Sequence, residues 1–465
     1  MNYIGTRGFV GEKSFAGALL DGLAPDGGLY VPASWPVDPT GFDLHCASNE
    51  PYHEFVQYLL GMFGVIESLG LDAAEEAAKR TERAFLRDGQ VPLTQLDDSL
   101  WLLELWHGPT LAFKDMAMQM MAPLTDAALA QTNQTLTLVT ATSGDTGAAA
   151  VRAFAGSQRV RLVVFHPLGR VSPVQRLQMT TVEAGNVLNV GVAGDFDDCQ
   201  RMVKQLLGNA ALKARGLISS VNSINWGRLL GQVPYYLAAA AASGARHPEF
   251  VVPTGNFGDA FAGWAGRRIG GNIGHLHAAV NRNDALAEAI NDGHYIRRPA
   301  VETASVSMDV QAPSNFERLV FEASGRDAVT TKAFFDTYVQ LGAADVSPDL
   351  QYALRAEVTA SSIDETKTAE AIRHAWDAYG QVICPHTAVA LAAALERRSA
   401  QKNSSPQIVL ATAHPAKFPD FVAGALGFAP KVPEAIQALY GRKETIREIA
   451  NDDDMALKTV SEFTA

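Results

Sequence analysis

Cysteine is almost absent from this chain: its 465 residues include three, Cys46, Cys199 and Cys384. Their odd number and wide spacing exclude a disulfide scaffold and a cysteine-based zinc site, and no metal centre is expected. Such usage fits a reducing compartment, so the cytoplasm is the expected location. Long apolar runs are missing too. The longest, over 229–242, is interrupted by Gln232 and Pro234, and no bilayer-spanning segment is expected. Arg7, Glu12 and Lys13 stand where a secretory signal needs an apolar core, so no signal peptide is expected. Positive charge is in deficit, with 38 Lys and Arg against 50 Asp and Glu and a formal net charge of −12. That balance argues against nucleic acid or an anionic membrane as the main partner, and an anionic small substrate would need a local cationic pocket. No internal repeat or low-complexity linker is found. What remains, 47% hydrophobic and 19% charged residues, is ordinary globular composition in a chain long enough for about two or three domains.

Residues 1–95 read as an N-terminal layer packed on the main body, with a tight turn at Pro25-Asp26-Gly27-Gly28 and helical spacing over 54–69 and 73–85. A strand over 100–105 leads through a loop to a helix predicted over 115–131. From 135 to 225 the pattern alternates, with strands over 135–141, 160–165, 187–192 and 217–221 and helices over 144–155, 173–184 and 197–207. This alternation predicts a parallel, helix-covered sheet whose ligands sit at the carboxyl ends of its strands. The second half continues the alternation with helix 226–243, strand 250–254, helix 260–269 and strand 276–280. A less regular stretch over 296–364 precedes helices 368–379 and 387–398 and a strand over 407–412. Asp452-Asp453-Asp454 reads as a solvated surface run.

One stretch organises the rest: Trp106-His107-Gly108-Pro109-Thr110-Leu111-Ala112-Phe113-Lys114-Asp115. It sets a lysine after a Gly-Pro turn, in apolar company, at the start of a helix. A surface lysine whose stem crosses apolar ground is the ordinary reading of such a segment taken alone. A buried amine, in contrast, is disfavoured in its charged form and becomes suited to Schiff-base chemistry with an aldehyde.

Three loops at strand ends carry further chemistry. In Thr142-Ser143-Gly144-Asp145-Thr146-Gly147 two glycines allow close backbone approach, and hydroxyls stand beside a helix N-terminus, which suits a carboxylate or phosphate. An ordinary helix cap uses the same residues. Thr254-Gly255-Asn256-Phe257-Gly258-Asp259 has neither dinucleotide-fold nor P-loop spacing, yet a nest of N–H groups can hold one phosphate without cationic help. Asn222-Ser223-Ile224-Asn225-Trp226-Gly227-Arg228 places amides, a hydroxyl and a guanidinium at one helix entry; Arg binds phosphate oxygens in pairs, and a capped helix with a surface Arg is the alternative. After the last strand, Thr412 presents a hydroxyl, with His414 and Lys417 as nearby ionisable candidates.

The ordered motifs over 3–8, 24–32, 107–115, 141–147, 222–232, 255–259, 307–309, 313–318 and 412–418 resemble the threonine synthase family, pyridoxal-phosphate enzymes of the tryptophan-synthase-β-like fold. The N-terminal extension resembles the longer bacterial and fungal branch. The resemblance implies an α/β architecture: two parallel or mixed-sheet αβα domains of the fold type II pyridoxal-phosphate enzymes, preceded by an N-terminal extension. It implies an N-terminal domain over 1–95, a large cofactor-binding domain over 96–134 and 226–430, a small mobile α/β domain over 135–225, and a C-terminal helical tail over 431–465. By residue, Lys114 would hold pyridoxal 5'-phosphate covalently and act as the catalytic base. Gly255, Asn256, Phe257 and Gly258 would cradle its phosphate, with Asp259 at the helix entry and Thr412 facing the pyridine nitrogen. Thr142, Ser143, Gly144, Asp145 and Thr146 would take the substrate carboxylate, and Asn222, Ser223 and Arg228 the phosphate of O-phospho-L-homoserine. The implied reaction is loss of phosphate from the γ-carbon and addition of water at the β-carbon, giving L-threonine, in a monomer. Two alternatives stand beside it. One is a related fold type II enzyme, such as a phospholyase or hydroxy-amino-acid dehydratase; the other is a catalytically silent cofactor or amino-acid binding protein.

Overall fold

The computed structural model describes residues 1–38, 42, 51–400 and 405–464; Cys46 lies outside them. The N-terminal layer pairs β1 (Tyr3–Gly5) with β2 (Tyr30–Pro32) in antiparallel register. Its helices Tyr52–Met62 and Leu71–Phe85 pack one apolar stripe on the next and close on helix Lys114–Thr132. The expected helix over 54–69 is broken at Phe63-Gly64, where Gly64 takes φ 74° and restarts the chain as helix Val65–Leu69.

The strands that follow are β3 (Leu93–Asp97), β4 (Leu100–Glu104), β5 (Leu136–Ala141), β6 (Val160–Pro167), β7 (Val187–Ala193), β8 (Leu217–Ser219), β9 (Glu249–Pro253), β10 (Leu276–Val280), β11 (His294–Ile296), β12 (Ala343–Asp345), β13 (Val358–Ser362), β14 (Gln407–Ala411) and β15 (Arg447–Ala450). They form a six-stranded sheet in the order β13-β10-β9-β14-β4-β3 and a five-stranded sheet in the order β15-β7-β6-β5-β8. Every pairing in these two sheets is parallel except β3 with β4. β11 and β12 make a separate antiparallel ladder.

The central strands β4, β9, β10 and β14 are buried along their whole length, which explains their near-continuous apolar composition: both faces are covered by helices. Helix Pro385–Ala400 covers one face of the large sheet, resting on β14, β9 and β10. The other face joins the N-terminal layer and helix Lys114–Thr132 in one continuous core.

Three expectations need correction. The stretch over 296–364 is not irregular; it holds helices Phe316–Ala323, Ala328–Leu341 and Pro348–Glu357 and the edge strand β13. β13 reads Val-Thr-Ala-Ser-Ser, too polar to announce itself, and only its pairing with β10 makes it a strand. The single helix expected over 226–243 is two, Trp226–Leu230 and Val233–Ser243, with Pro234 in the first turn of the second. The joint is pressed against the lysine helix, for a Cβ on Gly231 would lie 2.6 Å from Ala117 Cα. The tail over 431–465 is not simply helical. Its strand β15 pairs with β7 and finishes the small sheet, and helix Asp453–Thr464 packs on helix Phe196–Gly208. Only Ile449 of β15 is buried, so a four-residue strand with one apolar contact leaves no period to read.

Candidate active site

The lysine loop leaves the carboxyl end of β4 and is zipped to the end of the neighbouring β14: Leu105 donates to the Ala411 carbonyl at 2.9 Å, and Phe113 to that of Thr412 at 2.9 Å. Asp115 ties the loop from within. Its carboxylate accepts from the Thr110 N–H at 2.8 Å and the Thr110 hydroxyl at 2.7 Å. Leu111 is forced to φ 61°, a conformation a branched side chain rarely takes. Lys114 then opens helix Lys114–Thr132 with its side chain only 12% exposed. Burial lowers the pKa of its amine; Asp145 opposes that shift, while Arg228 and Lys417 add to it.

Across the large sheet, β9 delivers the glycine loop. Phe257 sits at φ 61°, a strained turn that feeds helix Gly258–Arg268. The Asn256 carbonyl is held from outside by the Asn315 N–H and amide, both at 3.1 Å. Among the described residues, the N–H groups of Gly255, Asn256, Phe257 and Gly258 find no protein acceptor. The loop also presses on the segment opposite, for a Cβ on Gly255 would lie 2.6 Å from the Ser307 carbonyl oxygen. Asp259, next in line, is buried; Tyr235 and Tyr236 hydroxyls donate to Oδ1, while Oδ2 has no partner. Burial raises its pKa to about 6. Thr412 faces the same cavity from the end of β14.

Arg228 lies on the short helix Trp226–Leu230 and is 3% exposed. Its Nη1 donates to the Val221 carbonyl at 3.0 Å, but Nε is buried without a partner. Burial brings it down to about 10. Asn222 Oδ1 is engaged by the Thr140 hydroxyl at 2.6 Å and Ser220 at 3.0 Å, and Ser223 lines the cavity beside it.

Of the small-sheet loop, Asp145 and Thr146 reach this cavity. Thr142 instead fastens the loop, accepting from the N–H groups of Gly144 and Gly147 at 2.9 Å each. Gly144, at φ 138°, is packed against Gln175, and Ser143 lines a separate cleft with Arg170 and Asp309. Asp145 is itself engaged: Lys417 Nζ lies 2.6 Å from Oδ1, Lys114 Nζ 3.6 Å from Oδ2, and Gln175 donates at 2.8 Å. Burial alone would raise this carboxyl, but Lys417, then Lys114 and His386, hold it far below the usual carboxylate range.

His386, Gln232, Ser307 and Met308 complete the wall; the last three fall within the motifs over 222–232 and 307–309 but take no role from the sequence, and His386 lies outside every motif. His386 Nε2 accepts from the Ser307 N–H at 3.1 Å, which puts the ring proton on Nδ1. Burial pushes this ring down to about 3, so it is neutral. The signal for it is slight: a histidine directly after the proline that opens helix Pro385–Ala400. His107 and His414 stand elsewhere, the first on Glu104 at 2.8 Å, the second capping the turn Pro415–Lys417. Among the described residues no group of three His, Cys, Asp or Glu could hold a metal ion, and no helix is long and apolar enough to cross a membrane.

Four free N–H groups in a loop too tight for a Cβ, a buried amine pushed toward neutrality and a Thr412 hydroxyl in the same cavity fit an aldehyde cofactor that carries a phosphate. The unpartnered Arg228 Nε leaves room for a second anion.

Known proteins agree with that fit. The family model "Threonine synthase N terminus" matches residues 2–74, "Pyridoxal-phosphate dependent enzyme" 85–344, and "Threonine synthase, C-terminal" 387–461. The chain is 38% identical to threonine synthase of Pseudomonas aeruginosa, over 97% of this chain and 96% of that one. Among solved structures, pyridoxal-phosphate-bound threonine synthase from Brucella melitensis superposes with a TM-score of 0.93 at 40% identity, covering 100% of this chain and 99% of that one. Threonine synthase from yeast superposes with a TM-score of 0.91 at 32% identity, covering 99% and 98%.

Proposed function

The chain belongs to the threonine synthase family of pyridoxal-phosphate enzymes, and from that premise we propose that it converts O-phospho-L-homoserine and water into L-threonine and phosphate. The observation that carries this reading beyond the family is the second anion cradle: Arg228, buried, with an unpartnered Nε, shares one cavity with Lys114 and the glycine loop. A substrate without a phosphate would leave that guanidinium uncompensated.

In this reading the N–H groups of Gly255, Asn256, Phe257 and Gly258 hold the cofactor phosphate, Asp259 stands at the helix entry, Thr412 meets the pyridine nitrogen, and Lys114 takes the aldehyde. When bound, the cofactor supplies an electron sink that lets protons leave carbons near the substrate amino group. Lys114 Nζ is placed to remove and later return those protons, and burial shifts its amine toward the neutral form that can accept one. Arg228 and Ser223, with Asn222, hold the substrate phosphate and stabilise it as it departs from the γ-carbon. Thr146 and the backbone of the loop from Thr142 through Ser143 and Gly144 to Asp145 hold the substrate carboxylate. The neutral His386 and the apolar Phe113 restrict the water that can reach the β-carbon.

On the same reading the cofactor rests on the large sheet, and the substrate carboxylate on a small domain over 135–225, now joined by β15. The acting unit is a monomer, as in the longer branch the N-terminal extension resembles, and the compartment is the cytoplasm, supported by two buried free cysteines. Incubation with O-phospho-L-homoserine, with phosphate and threonine measured together, tests the reading. Equal amounts of both support it. Phosphate with a keto acid makes the protein a phospholyase, and neither product refutes the role given to Ser223 and Arg228.

A further inference from the structure

Two lysines stand at one carboxylate: Lys114, which lines the cavity, and Lys417, buried behind it, both lie within ion-pair distance of Asp145, with Arg228 also in the cavity wall. Asp259 is taken by two tyrosine hydroxyls. Asp115 is taken by Thr110, and the rings of His386 and His414, also near Lys417, are kept neutral by burial. The two lysines therefore compete for one carboxylate, and distance decides between them: 2.6 Å to Lys417 against 3.6 Å to Lys114.

Lys417 is built for that place. Its side chain is 0% exposed, and its Nζ also donates to the Thr110 carbonyl at 2.8 Å, inside the loop that carries Lys114. Thr110 is the residue Asp115 locks, and its carbonyl also receives the Gln178 amide at 2.9 Å. One ammonium thus ties the end of the large sheet to the lysine loop and to the small-sheet loop at once. A buried lysine unlinked to any reaction would be a costly way to fasten these segments.

We propose that Lys417 is a positioning residue that claims the Asp145 carboxylate and so leaves the Lys114 amine neutral and ready to react. The neutral amine has the lone pair that would add to the cofactor aldehyde, a C=N bond replacing the C=O bond while the oxygen leaves as water with the two amine hydrogens; a protonated amine has no lone pair to do so. With Lys417 removed, Asp145 turns its whole charge on Lys114 and stabilises the ammonium. With Asp145 removed, Lys114 faces Lys417 and Arg228 with only the more distant Asp259 as counter-charge and loses its proton more readily.

The inference rests on the reading of Lys114 as the residue that takes the cofactor, and the test separates the two. The full chain, stripped of cofactor, is mixed with pyridoxal phosphate, and the rate of growth of the covalent absorbance band is followed against pH. In Lys417→Met the midpoint of that profile moves up by about one pH unit, so capture below the midpoint is about tenfold slower. In Asp145→Asn the midpoint moves down, and in Lys417→Arg it stays within a few tenths of wild type. A general loosening of the site would lower rates at every pH without opposite shifts, and that result overturns the proposal. If Lys417→Met does not fold, Lys417→Gln, which keeps a donor to the Thr110 carbonyl but removes the charge, carries the upward shift in its place, and an unmoved midpoint there overturns the proposal. Retention of the covalent band in Lys114→Ala would refute the role of Lys114 itself, whatever Lys417 does.

Discussion

Replacing Gly255 by alanine is the sharpest single test of the phosphate cradle. Its φ lies outside the left-handed region, so the cost is one of contact and not of backbone strain. The new Cβ would stand 2.6 Å from the Ser307 carbonyl oxygen and 3.3 Å from Met308 Cα. Neither neighbour yields easily, because His386 accepts from the Ser307 N–H at 3.1 Å and the Ser305 carbonyl from Met308 at 2.8 Å. An ordinary C···O contact needs about 3.3 Å, so the glycine loop must retreat by about 0.7 Å. An N–H···O bond of about 2.9 Å stretched by that amount is no longer a bond. Losing two such bonds to a phosphate, at about 1.5 kcal/mol each, weakens cofactor binding by about 3 kcal/mol, roughly a hundredfold in apparent Kd. Titration of the cofactor-free protein with pyridoxal phosphate, read by absorbance, measures it. Gly424→Ala is the control, since nothing lies within 4 Å of its Cβ. An apparent Kd for Gly255→Ala within threefold of wild type would show that the loop does not hold the phosphate.

Arg228→Met should keep the cofactor absorbance while kcat/KM for O-phospho-L-homoserine falls by about a hundredfold or more, through the loss of charge-assisted bonds to the substrate phosphate; an equal fall for a substrate without phosphate would sink that assignment. Asp259 is raised from 3.8 to about 6 by burial, so its contribution to stability is complete below about pH 4 and lost as pH rises through 6. The stability of Asp259→Asn relative to wild type should therefore grow across that window by up to about 3 kcal/mol in urea melts, and a pH-independent difference would contradict the buried, unpartnered Oδ2. Ile449→Ala should cost about 3 kcal/mol and lower the melting temperature by several degrees, because this side chain is the buried contact of β15; an unchanged melt would mean the strand contributes nothing.

The lysine loop, the glycine loop and the Arg228 helix are legible in the sequence because each packs its chemistry into about ten consecutive residues, with punctuation by Gly, Pro and Asn that suits a strand-to-helix turn. His386 is not, because its partner Ser307 lies 79 residues away in sequence and no local pattern marks the histidine. The residues from Thr142 to Thr146 look uniform as a sequence, and the structure divides their labour. Thr142 fastens the turn, Ser143 looks into another cleft, and Asp145 is claimed by Lys417, from the far end of the chain. The strands β13 and β15 escape a sequence reading for one reason: an edge strand takes its conformation from the neighbour it pairs with, and that information lies elsewhere in the chain.

That late strand has a consequence for how the molecule is made. β7 and β15 lie side by side, yet about 250 residues separate them along the chain. At a synthesis rate of about 5–20 residues per second, β7 leaves the ribosome roughly 10–50 s before its neighbour exists. Through that interval the nascent small sheet presents a naked parallel edge of Val190 and Val192, the kind of surface that invites pairing with another chain. The unit that begins folding in the middle of translation is sealed only near its close, so any stall upstream of Arg447 leaves a half-finished sheet for chaperones or proteases to deal with.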